Sequence, residues 1–402
     1  LVNRFGWLKD FVPDLSYSPT AVPNDPLFSD QWQLENSGQN VPGSGLGTIG
    51  ADSNLVPAWE FTTGSRDVIV AVIDTGVDLQ HPDLLANIWR NPGEIPGNNI
   101  DDDGNGFVDD VNGWDFGELD NNPDDVFGHG TAVAGVIGAV GNNGEGIAGV
   151  AWNVSIIPIK IADRFGGLSA SAIVSAHEYL TMMIGRDHNI VASNNSYGGF
   201  APGFYAGELE QGIDAERDAI EDFIAAGGTF VAAAGNSAFD NDNPDGTFFP
   251  ASYNLPGLIA VAATTNTDTL ADFSNFGDMS VDLAAPGQDV FTTAEGGGYR
   301  YISGTSFSAP MVVGAVALIK TLRPDVSRDE VRRVLIESSD PLPTLQGRVR
   351  SGGAMNVARA LQIVGLDGPI TTAFDPGPVT GQNRSDGSRL DSVIITFNKD
   401  MD

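Results

Sequence analysis

The chain has 402 residues, 41% of them hydrophobic, so it is long enough to bury a large core and has a globular composition. Its formal net charge is -33, and such a surface repels nucleic-acid phosphates and anionic membranes, so we expect neither as a partner. Cysteine is absent, which excludes disulfides and thiol chemistry. No apolar run reaches the roughly 18 residues that a membrane span needs.

Composition divides the chain into three parts. Residues 1–24 are polar and rich in proline, which predicts an extended arm or the remnant of a segment removed on maturation. No leader peptide is recognisable at the start, so we expect any secretion signal to lie upstream. Residues 25–365 are predicted to form one folded domain. Residues 366–402 contain a Pro-Gly-Pro stretch and one apolar run, which predicts a linker and the truncated start of a β-sandwich module.

The folded part alternates between apolar runs and helical stretches. The run from Asp67 to Gly76 is rich in β-branched residues, which predicts a central parallel strand buried on both faces. Similar runs recur at 155–161, 190–193, 229–234, 258–263 and 280–284, with helical stretches at 170–184 and 208–226. This alternation predicts an α/β fold with a doubly wound, mainly parallel sheet and helices on both faces.

Three polar residues directly follow predicted strands. They are Asp74, Ser196 and Asn236. Ligands of open α/β sheets bind at the carboxyl ends of the strands. We therefore expect these side chains to meet at one edge of the sheet.

A small-residue loop, Gly304-Thr305-Ser306, precedes an apolar stretch that ends at Leu322. The pattern predicts a buried helix with Pro310 in its first turn. Unpaired N–H groups at a helix N-terminus favour negative charge, so the Ser306 hydroxyl is well placed to attack a carbonyl. The alternative is that Ser306 or Ser308 only caps the helix.

Asp74, His129 and Ser306 each stand beside glycines and follow one another in the chain. Catalysis by a serine hydroxyl needs a base to take its proton and a carboxylate to orient that base. Taken singly, Asp74 could cap a turn, His129 could be a core histidine, and Asn236 could occupy a left-handed turn. Their joint occurrence in this order favours a nucleophilic site.

Six segments resemble signatures of the subtilisin-like serine proteases, in the family order. They are 72–77 (Val-Ile-Asp-Thr-Gly-Val), 81–84 (His-Pro-Asp-Leu), 128–135 (Gly-His-Gly-Thr-Ala-Val-Ala-Gly), 194–199 (Asn-Asn-Ser-Tyr-Gly-Gly), 232–236 (Ala-Ala-Ala-Gly-Asn) and 304–310 (Gly-Thr-Ser-Phe-Ser-Ala-Pro). The resemblance extends from about Asp25 to Leu361. Chain order Asp, His, Ser is the subtilisin order.

The resemblance implies a role for each matching residue. Ser306 would be the nucleophile, His129 the general base and acid, and Asp74 the carboxylate that orients the imidazole. Asn236 would donate its amide to the oxyanion. The substrate would lie between two segments, with its backbone and the side chain of the residue before the cleaved bond in contact with them. One segment is Ser196, Tyr197 and Gly198, and the other is Ala234 and Gly235.

The stretch 101–110 matches the first half of an EF-hand-like calcium loop, D-x-D-x-N-G. Its twelfth position is Asn112 where a regular EF-hand has glutamate. The predicted oxygen ligands are the side chains of Asp101, Asp103, Asn105 and Asp110 and the carbonyl of Phe107. The alternative is a solvated acidic loop without a metal.

The resemblance implies a second calcium site. It would use Asp83 after the His-Pro pair, the turn that carries Asn143, Glu145 and Ile147, and Asp25 of the N-terminal arm. Because bound metal stabilises only the folded form, we expect stability to rise with free calcium.

Together these features predict a secreted, calcium-stabilised serine endopeptidase that acts on proteins or peptides. It would be a monomeric catalytic domain within a longer chain. Ala233, Ala234 and Gly235 suggest a roomy apolar pocket, hence broad specificity with a preference for apolar residues. One alternative, an esterase, needs a Gly-x-Ser-x-Gly elbow that no serine here provides. The other is a non-catalytic, calcium-dependent binding module on the protease fold.

Overall fold

In a computed structural model of the chain, the structure describes residues 21–200, 208–244 and 246–366. The predicted C-terminal module and nearly all of the predicted N-terminal arm lie outside these residues. Within them the helices are α1 (Leu55–Ala58), α2 (His129–Gly138), α3 (Ala170–Gly185), α4 (Glu208–Ala225), α5 (Thr305–Leu322), α6 (Arg328–Glu337) and α7 (Val357–Leu366), with single 3-10 turns at Phe28–Asp30, Leu85–Asn87 and Ala251–Tyr253.

The described residues also contain strands of 2 to 11 residues. They are β1 (Asn40–Val41), β2 (Gly45–Leu46), β3 (Gly64–Asp74), β4 (Trp114–Asp115), β5 (Asn153–Lys160), β6 (Ile190–Asn195), β7 (Gly199–Phe200), β8 (Thr229–Ala233), β9 (Phe248–Phe249), β10 (Leu258–Thr264), β11 (Leu283–Pro286), β12 (Val290–Ala294), β13 (Gly298–Ile302), β14 (Asp340–Pro341) and β15 (Gly353–Ala354).

Nine of the described strands form one sheet, in the order β14-β15-β11-β10-β8-β6-β3-β5-β4. All neighbours in it run parallel except the edge pair β14–β15. The central strand β3 shows why the sheet is covered on both sides. Its residues Val70 and Val72 pack with α2 and α5, whereas Ala71 and Ile73 pack with α3 and α4. The predicted doubly wound α/β fold is therefore confirmed.

Helix α5 is the central helix of one layer, since it contacts β3, β6, β8, β10 and β11. Its residues are buried from Thr305 to Ile319, as the apolar pattern predicts. By length and composition alone this helix could cross a membrane, but 78% of it is buried inside the fold. It is thus the core helix of a sheet layer.

One local prediction about α5 is wrong, and the alternative that a serine caps this helix does not hold. Pro310 lies inside the helix and not in its first turn, because the helix already begins at Thr305. The cap residue is Gly304, and no side chain caps this end. The Ser308 hydroxyl donates to the carbonyls of Ala285 and Pro286. Neither Ser306 nor Ser308 is therefore a helix cap.

The acidic insertion between Asn91 and Asp125 folds against the sheet edge. Its apolar anchor is Phe107, whose ring contacts Trp114, Phe116 and Tyr179 at centroid distances of 5.0, 5.8 and 4.9 Å. The insertion is therefore tied to helix α3, which carries Tyr179, and to the β4 edge.

His177 of α3 is fully buried between the rings of Phe223 and Phe230. Its Nδ1 contacts the Ile173 carbonyl at 2.8 Å. Burial lowers the pKa of His177 from 6.5 to about 4. The side chain is therefore neutral in the folded protein under conditions in which an unfolded chain binds a proton.

This buried imidazole predicts acid sensitivity. Because its folded pKa lies below its unfolded value, its stabilisation is complete above pH 6.5 and is lost as the pH falls towards 4, at a cost of about 3 kcal/mol. We expect His177→Gln to lose less free energy of unfolding over this range than the parent protein. Denaturant titrations at stepped pH measure this loss. His188→Gln, three residues beyond α3, is the comparison, since burial lowers the pKa of His188 to a smaller extent and we expect a smaller change. Equal pH slopes for parent and His177→Gln would contradict the prediction.

Candidate active site

The carboxyl ends of three neighbouring strands hold the predicted polar residues. Asp74 is the last residue of β3, Ser196 directly follows β6, and Asn236 lies three residues beyond β8. Strand β6 pairs with both β3 and β8, so the three ends meet at one edge of the sheet. Helices α2 and α5, which pack on each other, bring His129 and Ser306 in their first turns to this edge.

Asp74 and His129 are in direct contact. The Oδ1 atom of Asp74 lies 2.7 Å from Nδ1 of His129 and also accepts the Thr75 N–H. Two glycines make the approach possible. Gly128 takes a left-handed conformation with φ 81° just before α2, and a Cβ atom at Gly130 would lie 2.0 Å from the Gly76 carbonyl oxygen. A larger residue at Gly130 would separate the two loops, and one at Gly128 would strain the left-handed backbone.

The environment changes the proton affinity of His129. The Asp74 carboxylate raises the pKa of His129 above its usual value, and Asp125 adds to this, while burial acts in the opposite direction. About one third of the imidazole side chain is exposed, so one ring edge faces solvent. A carboxylate on Nδ1 directs that nitrogen to carry the proton, which leaves Nε2 to accept one.

Asp125 joins the Asp74 loop to the start of α2, a function that its place at the end of an acidic insertion does not predict. It is buried, with 3% of its surface exposed. Its carboxylate accepts hydrogen bonds from the Thr75 and Thr131 hydroxyls at 2.9 and 2.7 Å. It also accepts the N–H groups of Phe127, Gly128 and Thr131. The Thr75 hydroxyl in turn accepts the Gly130 N–H, so one carboxylate organises both loops.

Ser306 is the second residue of α5 and lies next to Ser196. The Pro310 ring nitrogen has no hydrogen, so it cannot bond to the Ser306 carbonyl one turn earlier. That carbonyl instead accepts the Ser196 hydroxyl at 2.8 Å. The Ser306 Oγ lies 3.5 Å from the Ser196 carbonyl oxygen. Pro310 thus leaves an acceptor through which Ser196 holds the backbone of the candidate nucleophile.

The His129 ring borders the same helical turn, with its centroid 5.5 Å from that of Phe307. Among the described residues no hydrogen bond joins the Ser306 hydroxyl to the imidazole. Hydrogen bonds between a nucleophile and its base are often long in ligand-free sites and shorten when substrate binds. The geometry therefore places the three candidate groups in one neighbourhood, with the Asp74–His129 contact formed.

Asn236 is fixed by Thr305. Its Oδ1 accepts both the backbone N–H and the hydroxyl of Thr305, at 2.8 and 2.9 Å. Thr305 also accepts the Gly235 N–H on the same hydroxyl. With the oxygen engaged, the amide nitrogen is the end of the exposed Asn236 side chain that remains for a ligand. The residue therefore presents a donor beside Ser306.

The predicted substrate-binding residues lie in two segments beside Ser306. Ser196 is buried, Tyr197 is half-buried and Gly198 is exposed, in the segment that leads from β6 to β7. Ala234 and Gly235 are buried in the segment that leads from β8 to Asn236. The Tyr197 hydroxyl donates back to Asn195 and so points away from the exposed backbone.

The predicted calcium loop brings Asp101 and Asp103 together with Glu94. One carboxylate oxygen from each of the three residues lies within 4.8 Å of the other two. Glu94 precedes the motif in the chain, so the EF-hand pattern does not point to it. Three converging carboxylates suit a hard cation such as Ca²⁺. The Arg186 guanidinium lies 3.7 Å from Asp103 and partly balances the cluster.

Asn105 and Asp110 are arranged differently from the predicted ligand set. The Asn105 amide donates to Asp103 and Asp110, and its oxygen accepts the Phe107 N–H. Asp110 also accepts from Asn91 and from the Tyr179 hydroxyl, and burial raises its pKa to about 6. These two residues link the loop to helix α3, so their direct ligation of a cation stays a prediction, as does that of the Phe107 carbonyl.

The second predicted cation site contains two buried carboxylates, those of Asp25 and Asp83. Asp25 accepts the backbone N–H groups of Asn142 and Asn143, and Asp83 accepts the Asn143 amide and the Ile147 N–H. Burial raises the pKa of both carboxyls. Two buried acids that face one turn fit a divalent cation. The Glu145 side chain is exposed, and its backbone N–H bonds to Asn143.

Comparison with known proteins shows the family to which the chain belongs. The family model described as the subtilase family matches residues 65–369. An extracellular protease of Xanthomonas campestris pv. campestris is 33% identical over 93% of this chain and 64% of its own length. A thermophilic serine proteinase of Bacillus sp. strain AK1 is 34% identical over 71% of this chain and 59% of its own length. The chain thus spans about 60% of the length of these two relatives.

Other relatives match over nearly their whole length. Thermitase of Thermoactinomyces vulgaris is 30% identical over 85% of this chain and 99% of its own. The solved structure of a protease from Pseudoalteromonas arctica PAMC 21717 matches with a TM-score of 0.64 and 28% identity, over 85% of this chain and 99% of its own. The chain therefore belongs to the subtilase family.

Proposed function

We propose that this chain is a serine endopeptidase that hydrolyses peptide bonds through an acyl-enzyme. The observation that carries the proposal is the 2.7 Å contact between Asp74 and His129 at the sheet edge to which the first turn of α5 brings Ser306. Family membership and a relative named a thermophilic serine proteinase support the same class of reaction.

The acylation step assigns a task to each group. The Ser306 Oγ attacks the substrate carbonyl carbon as its proton passes to His129 Nε2, and a new C–O bond forms. His129 then gives this proton to the amine nitrogen as the C–N bond breaks. Asp74 holds the Nδ1 proton in place and stabilises the imidazolium between these transfers. A water molecule then takes the place of the amine, and the same proton transfers release the acid and restore Ser306.

The carbonyl oxygen becomes negative during attack and needs preorganised donors. The Asn236 amide nitrogen is one, because Thr305 holds the opposite end of that side chain. The Ser306 N–H is the second, since the first N–H groups of a helix have no partner within it. The partial positive charge at the start of α5 adds to both.

We propose further that the protein is secreted and works outside the cell, where calcium is abundant. Support comes from the relative that is named an extracellular protease, from the acidic cluster of Glu94, Asp101 and Asp103, and from the net charge of -33. When bound, Ca²⁺ would stabilise the folded domain through Glu94, Asp101 and Asp103 and through Asp25 and Asp83, away from the reacting atoms. We propose proteins or peptides as substrates and a monomeric catalytic domain.

Covalent labelling tests the catalytic proposal against the non-catalytic binding module. A fluorophosphonate probe reacts only with an activated serine, so we expect stoichiometric label on Ser306, located by peptide mass spectrometry, together with loss of casein hydrolysis. Folded, mature protein that neither takes the label nor cleaves casein would establish the binding module instead.

Removal of calcium should lower thermal stability. If free calcium stands at about 100 times its dissociation constant, bound metal adds about 2.7 kcal/mol, which corresponds to roughly 4 °C in Tm for a domain of this size. Calorimetry in excess calcium and in EGTA measures the difference. We expect Asp101→Asn and Asp83→Asn each to reduce this difference in Tm. Asp67→Asn makes the same charge change at an exposed residue on β3 and should retain the full difference. A Tm that EGTA leaves unchanged would argue against both calcium sites.

A further inference from the structure

The two segments beside Ser306 enclose the space that receives a substrate side chain. One leaves β6 through Ser196 to Gly198, and the other leaves β8 through Ala234 and Gly235. The Ser306 Oγ lies 3.5 Å from the Ser196 carbonyl at the mouth of this space. In the proposed peptidase, the residue whose carbonyl Ser306 attacks directs its side chain between these segments, the role that the resemblance implies for them. That residue is called P1. The contents of the gap therefore decide which P1 side chains fit.

An aromatic ring from a distant part of the chain lies in this gap. A Cβ atom at Gly198 would lie 2.5 Å from Cε1 and 2.8 Å from Cζ of Phe248. A Cβ atom at Gly235 would lie 3.2 Å from Cδ1 of the same ring. One edge of the Phe248 ring is thus in contact with a glycine of each segment. The ring occupies the space that the small residues Ala234 and Gly235 otherwise leave open.

The ring is held in place by its own strand. Phe248 begins β9, which pairs antiparallel with β7, so that Phe248 lies opposite Phe200 and Phe249 opposite Gly199. The Phe248 ring packs edge-on against that of Phe200, at a centroid distance of 5.2 Å. Since β7 continues the Ser196–Gly198 segment, the ring and the wall it touches are parts of one unit. The strand pairing fixes the backbone from which the ring projects, and the Phe200 ring supports one side of it.

We infer that Phe248 determines specificity by filling the P1 pocket, so that this protein cleaves after small residues such as alanine, glycine and serine. The inference rests on the proposed peptidase function and replaces the expectation of a roomy apolar pocket. A large P1 side chain would have to overlap the ring, and forcing extra atoms into a filled site is unfavourable. A methyl or hydroxymethyl group fits beside it.

Matched chromogenic peptides that differ only at P1 test the inference. For the parent protein we expect kcat/KM with alanine at P1 to exceed that with phenylalanine by about tenfold or more. Phe248→Gly opens the gap, so the ratio of kcat/KM with phenylalanine to kcat/KM with alanine should rise about tenfold or more. Phe239→Ala removes an exposed ring that also contacts Phe200 but is not among the nearest neighbours of either glycine, and its P1 profile should match that of the parent.

The parent profile tests the inference even if Phe248→Gly fails to fold. Hydrolysis after phenylalanine or leucine as fast as after alanine overturns it, as does an unchanged profile in folded Phe248→Gly. Both results leave the peptidase function intact, because fluorophosphonate labelling of Ser306 is measured on the same preparation. Absence of label and of all hydrolysis overturns the proposed function, and this inference with it.

Discussion

Ser306→Ala should lower kcat for peptide hydrolysis by about 10⁶-fold, the loss measured when the serine of subtilisin itself is removed. Without the hydroxyl the carbonyl carbon has no covalent partner, and His129 has no proton to accept. Only oxyanion stabilisation and substrate positioning remain, which typically leave 10³–10⁴-fold over water. Single-turnover hydrolysis of a chromogenic peptide measures the residual rate.

Ser308→Ala is the matched control, because Ser308 lies in the same helical turn but its hydroxyl donates to Ala285 and Pro286. We expect its kcat to stay near that of the parent protein, with a loss of about 1 kcal/mol in stability. Binding of a peptide inhibitor should be similar in both variants. If Ser308→Ala were the inactive variant, the nucleophile would be assigned to the wrong serine.

Asp74→Asn should lower kcat by about 10⁴-fold, because an amide no longer fixes the Nδ1 proton or stabilises the imidazolium. The pH profile gives a second readout. His129 accepts a proton only when neutral, so activity rises as the pH passes upward through its pKa. Asp74 raises that pKa, and its removal should therefore move the acidic midpoint of kcat/KM to lower pH.

Asp125→Asn separates positioning from direct contact with the imidazole. Its amide nitrogen would face two donors of Thr131, so we expect the loops to shift and kcat/KM to fall by about 10- to 100-fold. The acidic midpoint should move in the same direction as in Asp74→Asn but less, since Asp125 raises the pKa of His129 to a smaller extent. A purely structural role would lower Tm and leave the midpoint unchanged.

The apolar runs predicted the fold because they must be buried, and few arrangements of strands and helices bury all of them. The β3 run has no polar residue from Val68 to Ile73, so both its faces need a covering layer, and helices of suitable length stand between the runs. The ends of individual strands differ from the predicted runs. The run at 280–284 becomes the strand Leu283–Pro286, since pairing with β10 decides where a strand begins.

The sequence by itself determined the sheet, the buried helix and the candidate groups Asp74, His129 and Ser306, because each depends on short-range patterns of apolar residues and glycines. Only the tertiary structure decided which distant residues support them. Asp125 acquires its partner Thr75 when separate loops meet, Pro310 matters through a carbonyl that Ser196 reaches, and Phe248 enters a gap between two glycines. These are contacts between segments far apart in the chain, and local pattern does not encode such contacts.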